Sequence, residues 1–494
     1  MSTAAAPPPS AAKRSGGGGR PEDEMFPPFT LFGYGLQHIL SMFGGVIAVP
    51  IIVGGAAGLA PAQQAMLISC ALFVGGLATL VQTLGLPYIG AQLPLVQGIS
   101  FAAVATMTSI IAEDGTHGLR TVFGAVMVAS LICFLLAPFF SSVIRFFPPV
   151  VTGSIITVIG LSLMPVAVGW VTGQATLGGE PNPAYLDMGN MAMAAVTLVL
   201  VLVLTKIPTL SRVAILLGLF VGTIIALIVG KATTANVGGS IFAIPSPFHF
   251  GAPIFEAGAI ISMVVVMLVI MVETTADLLA VGEIVETDVD SKRIANGLRA
   301  DMLSSAVAPI FNSFPASAFA QNVGLVALTG IKSRFVVAAG GVTLAVLGLS
   351  PMLAELVRVI PNAVLGGAGI VLFGTVAASG IRTLSKVDYQ NNNNMVIVAV
   401  AIGFGLLPIA NHDFWSVFPE AVATVFDSEI SAAAIVAVLL NLFYNVWLPG
   451  TPEEPTDLAA APPRLVQEEE AAALAAGEVL EGGVPSRSTT VDGA

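Results

Sequence analysis

Fourteen apolar runs, broken by glycine, proline and charge, follow one another along this chain at approximately 29–53, 63–85, 94–111, 121–144, 150–171, 189–205, 213–230, 256–281, 299–313, 316–330, 335–354, 362–379, 392–410 and 429–448. A helix needs about 20 apolar residues to cross roughly 30 Å of hydrocarbon, and in lipid each backbone polar group must be satisfied within the protein. The pattern therefore predicts an all-α polytopic membrane protein with 14 transmembrane segments. Composition excludes the main alternative, because only 10% of the residues are charged and the mean hydropathy is +0.92, whereas a soluble domain carries about 25% charge.

Charge sets the expected orientation. With a cytoplasmic N-terminus, alternate loops hold fifteen of the eighteen Lys and Arg residues, and only Arg120, Lys231 and Arg358 fall outside. Such a bias is the ordinary signature of cytoplasmic loops, so both termini are expected in the cytoplasm of a plasma-membrane protein. The net charge of −12 is largely a tail effect: residues 451–494 carry nine acids against Arg464 and Arg487. Residues 1–26 and 450–494 hold too little apolar surface to order themselves and are expected to be disordered; no apolar stretch within the N-terminal tail suggests a cleavable signal peptide. No stripe of Lys and Arg exists to neutralise phosphates, which argues against nucleic acid as a partner. Cys70 and Cys133 sit in apolar runs with no CxxC spacing, as small core residues rather than metal ligands.

Fourteen is twice seven, and an odd half-repeat inserts its second copy upside down. Inverted repeats are a common plan of secondary transporters, whose sites lie where broken helices meet near the midplane. The third run (Leu93-Pro94-Leu95-Val96-Gln97-Gly98-Ile99-Ser100-Phe101) and the tenth (Phe314-Pro315-Ala316-Ser317-Ala318-Phe319-Ala320-Gln321-Asn322-Val323-Gly324) occupy equivalent places. Each joins a proline to polar groups, as expected where extended chain gives way to a half-helix.

The candidate chemistry lies in the same regions. Glu273 and Asp277 in span 8 are four residues apart and share one helix face. Acids within a span are costly and normally face a cavity where they act, although Asp277 could instead mark the cytoplasmic end of its helix. Asp301, read as the start of span 9, could couple to protons or merely cap a helix. His38 in span 1 could face the cavity or pack, while His117, His249 and His412 look peripheral. Gln321 and Asn322 offer side-chain amides, each with one acceptor and two N–H groups. A carboxylate can accept ring N–H groups, and Phe101 could stack on a flat ring. Together they suit a planar, hydrogen-bonding solute, and no Arg or Lys in a predicted span core favours a multivalent anion.

The segment Gln321-Asn322-Val323-Gly324-Leu325-Val326-Ala327-Leu328-Thr329-Gly330 fits the signature Gln/Glu/Pro-Asn-x-Gly-x-x-x-x-Thr-Arg/Lys/Gly of the nucleobase–ascorbate transporters (nucleobase:cation symporter-2). Gln37-His38 and the Glu273/Asp277 pair resemble two further motifs of that family, and the resemblance runs from about residue 27 to 447. It implies a core domain (spans 1–4 and 8–11; 27–148 and 253–358), a gate domain (spans 5–7 and 12–14; 149–252 and 359–449), short β-strands in spans 3 and 10, and a homodimer packed through the gate within membrane lipid. It further implies Glu273 and Gln321 as ligands of a base, Asn322 as a neighbour shaping that site, Phe101 stacking, and His38, Asp277 and Asp301 in proton coupling. Gln at 321 resembles the branch that takes xanthine and uric acid, and Ser100 leaves room for the C8 oxygen of uric acid. The expectation is a proton-coupled importer of oxidised purines that needs no cofactor beyond the coupling proton. The alternatives are a uracil permease and an anion exchanger or channel of the same fold; no HExxH, GxSxG or P-loop motif supports a membrane enzyme.

Overall fold

The structure, a computed structural model, describes residues 20–447 apart from 112–114, 141–145, 174–175, 178–179, 183–184, 209, 234–241, 390–391, 412 and 416. His412 and the tails 1–19 and 448–494 thus lie outside the described residues. The first half contains α1 (Pro28–Ala56), α2 (Pro61–Leu84), β1 (Gln97–Ile99), α3 (Val104–Ile111), α4 (Thr116–Leu136), α5 (Pro149–Ser162), α6 (Met164–Thr172), the short strands β2 (Thr176–Leu177) and β3 (Glu180–Pro181), α7 (Met188–Thr205) and α8 (Ala214–Ile228). The second contains α9 (Ala257–Val285), α10 (Ser291–Val307), β4 (Ala316–Ala318), α11 (Ala320–Thr329), α12 (Arg334–Gly348), α13 (Pro351–Arg358), α14 (Asn362–Leu384), α15 (Asn392–Ala410), α16 (Glu420–Phe426) and α17 (Glu429–Asn441), which runs into a π-helical turn ending at Trp447. Among the described residues nine helices have the length and composition to cross a membrane, and three shorter apolar helices accompany them. The chain is a mostly helical, multi-pass membrane protein.

Helix boundaries follow local chemistry. Proline opens α1, α2 and α5 at their first positions, where its missing N–H costs nothing. Asp187 and Asp290 cap α7 and α10 by accepting from the backbone N–H of Asn190 (3.1 Å) and Arg293 (2.7 Å). Gly330 closes α11 with a left-handed φ of 67°.

Distant parts of the chain interlock. Helix α2 packs along α12, and α5 along α14. The backbones approach so closely that a Cβ on Gly76 would stand 2.4 Å from the Ala345 nitrogen, the small-residue packing by which membrane helices gain dispersion contacts without a hydrophobic driving force. Strands β1 and β4 pair antiparallel, with Gln97 opposite Ala318, Gly98 opposite Ser317 and Ile99 opposite Ala316. The third and tenth apolar runs are therefore both broken into strand and helix, and they meet.

Two expectations are corrected. The ninth run begins eight residues earlier than read from hydropathy, because Ser291–Val307 is helical from the Asp290 cap; Asp301 lies deep within α10 and is no N-cap. The N-terminal boundary also moves. Residues 20–24 are ordered, through ion pairs rather than through apolar burial. Glu22 is buried, accepting from Arg293 Nη2 at 2.5 Å and Thr287 Oγ1 at 3.2 Å. Asp23 accepts from Arg334 Nε at 2.7 Å and Arg20 Nε at 2.9 Å. Arg334 also donates to the Thr83 and Leu84 carbonyls at the end of α2. This clasp ties together α2, the connection between α9 and α10, α10 and α12. Burial opposes ionisation of Asp23, but hydrogen bonds from Arg20 and Arg334 outweigh it and hold the carboxyl below its ordinary value.

Candidate functional site

The break in each of the two interrupted runs aims a helix N-terminus at a common space. After β1, Ser100 turns the chain and its hydroxyl accepts from the Ala102 N–H at 3.2 Å, starting the helical turn that becomes α3. After β4, Phe319 precedes α11. The strand hydrogen bonds satisfy the extended backbone, so irregular chain is tolerated here at membrane depth, and the two half-helices present partial positive charge. Gly98 makes the pairing possible: a Cβ there would fall 2.2 Å from Phe319 Cε2.

Beside these starts lies a cavity of about 500 Å³ whose wall includes Ser100, Phe101, Phe319, Glu273, Asp277 and Lys386. That volume falls within the roughly 300–1,000 Å³ usual for small-molecule sites. Helix α9 delivers Glu273 and Asp277 to the same side, one turn apart, and neither carboxylate is engaged by a described protein donor, leaving both free as acceptors. Phe101 forms an aromatic wall, 6.4 Å from the Phe319 ring and 6.0 Å from that of Phe373. Helix α14 contributes Thr375, Ser379 and Thr383 at four-residue spacing, and Lys386 follows its end. The lining also includes Ala276 and Ala280 of α9, and Lys386 is part of the same wall. Helix α3 leads away from it and is fastened at its far end, where Thr106 Oγ1 lies 2.5 Å from Ser428 Oγ and Ser109 donates to Asp427 at 3.0 Å.

Three other expected site residues stand behind this wall. Asn322 is fully buried on α11; its carbonyl accepts from the Val96 N–H and its amide nitrogen lies 3.0 Å from His38 Nδ1. The backbone donor fixes the amide orientation, so His38 Nδ1 must accept and its proton sits on Nε2. Asn322 and His38 thus link α1 and α11 to the chain entering β1 and do not line the cavity. Asp301, also fully buried, accepts from Thr274 Oγ1 at 2.6 Å and Gln82 Nε2 at 3.0 Å. Thr274 adjoins Glu273, so Asp301 is one residue removed from the cavity wall. Gln321 occupies the first turn of α11, next to the cavity-lining Ala320; its side chain lies outside the described part of the structure.

Sequence reasoning did not single out the polar face of α14 or Phe319. A signal was present for the first, since Thr375, Ser379 and Thr383 recur every four residues through an otherwise apolar span. Phe319 carried none, because its place depends on Gly98 across the strand pair.

The comparisons decide the family. A family profile described as Permease family matches residues 29–414, and curated relatives exceed one third identity over most of the chain. The uric acid transporter UacT of Escherichia coli (strain K12) is 39% identical over 86% of this chain and 89% of its own length.

The chain belongs to this permease family.

It is the family whose motifs the sequence resembles, and its members are transporters rather than enzymes. The xanthine permease of Bacillus subtilis (strain 168) is 39% identical, covering 84% of this chain and 93% of that protein. The uric acid permease PucJ of the same organism is 38% identical over 85% and 93%. Among solved structures, the transmembrane domain of the cyanobacterium bicarbonate transporter BicA superposes with a TM-score of 0.56 at 17% identity, covering 85% of this chain and 99% of that one. The murine anion transporter Slc26a9, in the inward-facing state, gives 0.56 at 14%, over 88% and 73%. At such identities the likeness is one of fold alone.

Proposed function

We propose that this permease imports oxidised purine nucleobases, xanthine or uric acid or both, by proton-coupled alternating access. The observation that carries the reading is the cavity in which the free carboxylates of Glu273 and Asp277 face the N-termini of two half-helices and an aromatic wall. A flat base placed there meets acceptors for its ring N–H groups from α9, a π-face from Phe101, and donors from the first turn of α11, which carries Gln321. Charge-assisted hydrogen bonds of this kind are about twice as strong as neutral ones. The names of the relatives that match along most of their length support the substrate class. Glu273 and Asp277 lie within a helix long and apolar enough to span the membrane, where ionisable side chains mark ion and proton pathways by default, and Asp301 is buried beside them, bonded to Thr274 of that helix. His38 and Asn322 hold the α11 start in register with them.

In this reading the fourteen runs form a seven-plus-seven inverted repeat, with both termini cytoplasmic. The interlocking of α2 with α12 and of α5 with α14 supports one body built from residues 27–148 and 253–358 and a second from 149–252 and 359–449. The first would slide against the second and carry the base across the midplane. Lys386, part of the cavity wall, is on the side that the positive-inside bias assigns to the cytoplasm. Exposed apolar side chains on α7 and α8, among them Val199, Leu202 and Phe220, suit a homodimer through the gate or contact with lipid. Uptake of radiolabelled xanthine into cells or proteoliposomes tests the reading. Glu273→Gln is expected to abolish accumulation, and undiminished uptake in that variant would remove the residue from the site.

A further inference from the structure

We propose that the permease holds its solute a second time, in a vestibule formed by Lys386, Asn441 and Asn445 that meets the central cavity at Lys386. The proposal rests on the reading of the protein as a purine transporter. A separate cavity of about 400 Å³ is bounded by Pro149 at the start of α5, Lys386 and Asp388 after α14, Asn394 of α15, and Asn441 and Asn445 at the end of α17. Lys386 belongs to the wall of this cavity and to that of the cavity holding Glu273. The two cavities therefore meet at Lys386, and a base passing from one to the other passes that side chain.

The amide geometry leaves a matched pair of groups for that base. Asn445 Nδ2 donates to Asn394 Oδ1 at 3.1 Å and to Asn441 Oδ1 at 3.0 Å, and Asn394 Nδ2 donates to the Asp388 carbonyl at 2.9 Å. Each side-chain amide has one carbonyl and two N–H groups. What remains without a protein partner, among the described residues, is the Nδ2 of Asn441 and the Oδ1 of Asn445, one helical turn apart. A donor beside an acceptor complements the ring-amide edge of an oxidised purine, where a C=O adjoins an N–H. The ammonium of Lys386 is exposed and forms no ion pair among the described residues. It adds what the amides lack, a preference for negative charge. Uric acid is an anion at neutral pH and xanthine is mostly neutral, so Lys386 distinguishes the two there while the amides hold both.

The test uses the full-length protein in vesicles of defined orientation, with labelled uric acid and xanthine presented to either face. Lys386→Gln is expected to raise the KM for uric acid from the Lys386 face about fivefold, the loss of one partly screened attraction. The KM for xanthine from that face should rise less than that for uric acid, and the KM for uric acid should rise less from the opposite face. Lys386→Arg should restore the uric acid value, and raising salt to about 0.5 M should shrink the difference between wild type and Lys386→Gln. Asn445→Ala is expected to raise the KM of both purines alike from the Lys386 face. Equal effects of Lys386→Gln on the two purines, or equal effects from the two faces, would overturn the vestibule. If the wild type neither binds nor moves either purine, the proposed function fails first and the vestibule with it.

Discussion

Gly98→Ala probes how the two half-helices are held together. The added Cβ would lie 2.2 Å from Phe319 Cε2 and 2.8 Å from both Cδ2 and Cζ, against an ordinary contact of about 3.5–4.0 Å between carbons. The ring cannot retreat on its far side, since Phe319 is only 4% exposed and the Gly45 backbone grips it there: a Cβ on Gly45 would come within 2.9 Å of Cε1. Either β1 separates from β4 or the Phe319 ring swings into the cavity beside Phe101. Overpacking of this kind costs about 1–3 kcal/mol, which corresponds to xanthine binding weakened about 5- to 150-fold if the whole strain falls on the binding-competent state. Isothermal titration of the purified variant measures it, alongside thermal stability without ligand. Gly324→Ala, on α11 where nothing lies within 4 Å of the added atom, is the control and is expected to bind as wild type. Replacing Phe319 by Leu in the Gly98→Ala background should recover part of the loss, a coupling that a double-mutant cycle resolves. Wild-type affinity and stability in Gly98→Ala would refute the reasoning, because the strand pair would then be loose enough to absorb the clash.

The remaining predictions concern the scaffold around the site. Glu22→Ala leaves Arg293 without its buried partner and should lower stability by about 3–5 kcal/mol, read as an earlier thermal transition in detergent, with Arg293→Gln giving a similar loss. The Asp23 carboxyl is held below its ordinary value of 3.8, so the stability it contributes is fully present above that value and fades as the pH falls below it. Asp23→Asn should therefore be less stable than wild type at neutral pH, with the difference closing in acid; a difference that persists there would contradict the pairing with Arg334. Thr274→Val removes the 2.6 Å donor to the buried Asp301 and should cost about 1–3 kcal/mol of stability, while Thr274→Ser should be nearly neutral. Ser428→Ala removes the hydrogen bond to Thr106 and the cap on the Ser431 N–H and should lower stability by about 1–2 kcal/mol, read as an earlier thermal transition in detergent.

Much of the architecture was legible in the sequence because lipid leaves so few solutions. Each of the fourteen apolar runs overlaps one or two helices, or a strand followed by a helix, and the Pro94 and Pro315 breaks marked the two half-helices. Glu273, Asp277, Phe101 and Ser100 could be gathered in advance because acids and broken helices are rare in spans and their positions are informative. The position of Asp301 within its helix was misjudged since hydropathy sees only the apolar part of α10, whose first turns are polar and begin at Asp290. The order of residues 20–24 was hidden for the opposite reason. Glu22 and Asp23 look solvated in a Pro- and Gly-rich tail, and only the fold brings Arg293 and Arg334 to them. The polar face of α14 was written at helical spacing, but nothing in the sequence says that it faces α9.

Equilibrium binding of xanthine to the purified protein tests the central claim most directly, with wild type compared against Glu273→Gln and Gln321→Ala. If a carboxylate from α9 and the amide at the start of α11 grip the same base, each substitution removes a hydrogen bond that is charged or made in a dry pocket. Affinity should then fall about tenfold or more for Glu273→Gln, the value of a bond to a charged group, and measurably for Gln321→Ala, with thermal stability retained. Binding within twofold of wild type in both variants would contradict the account and move the site elsewhere in the molecule.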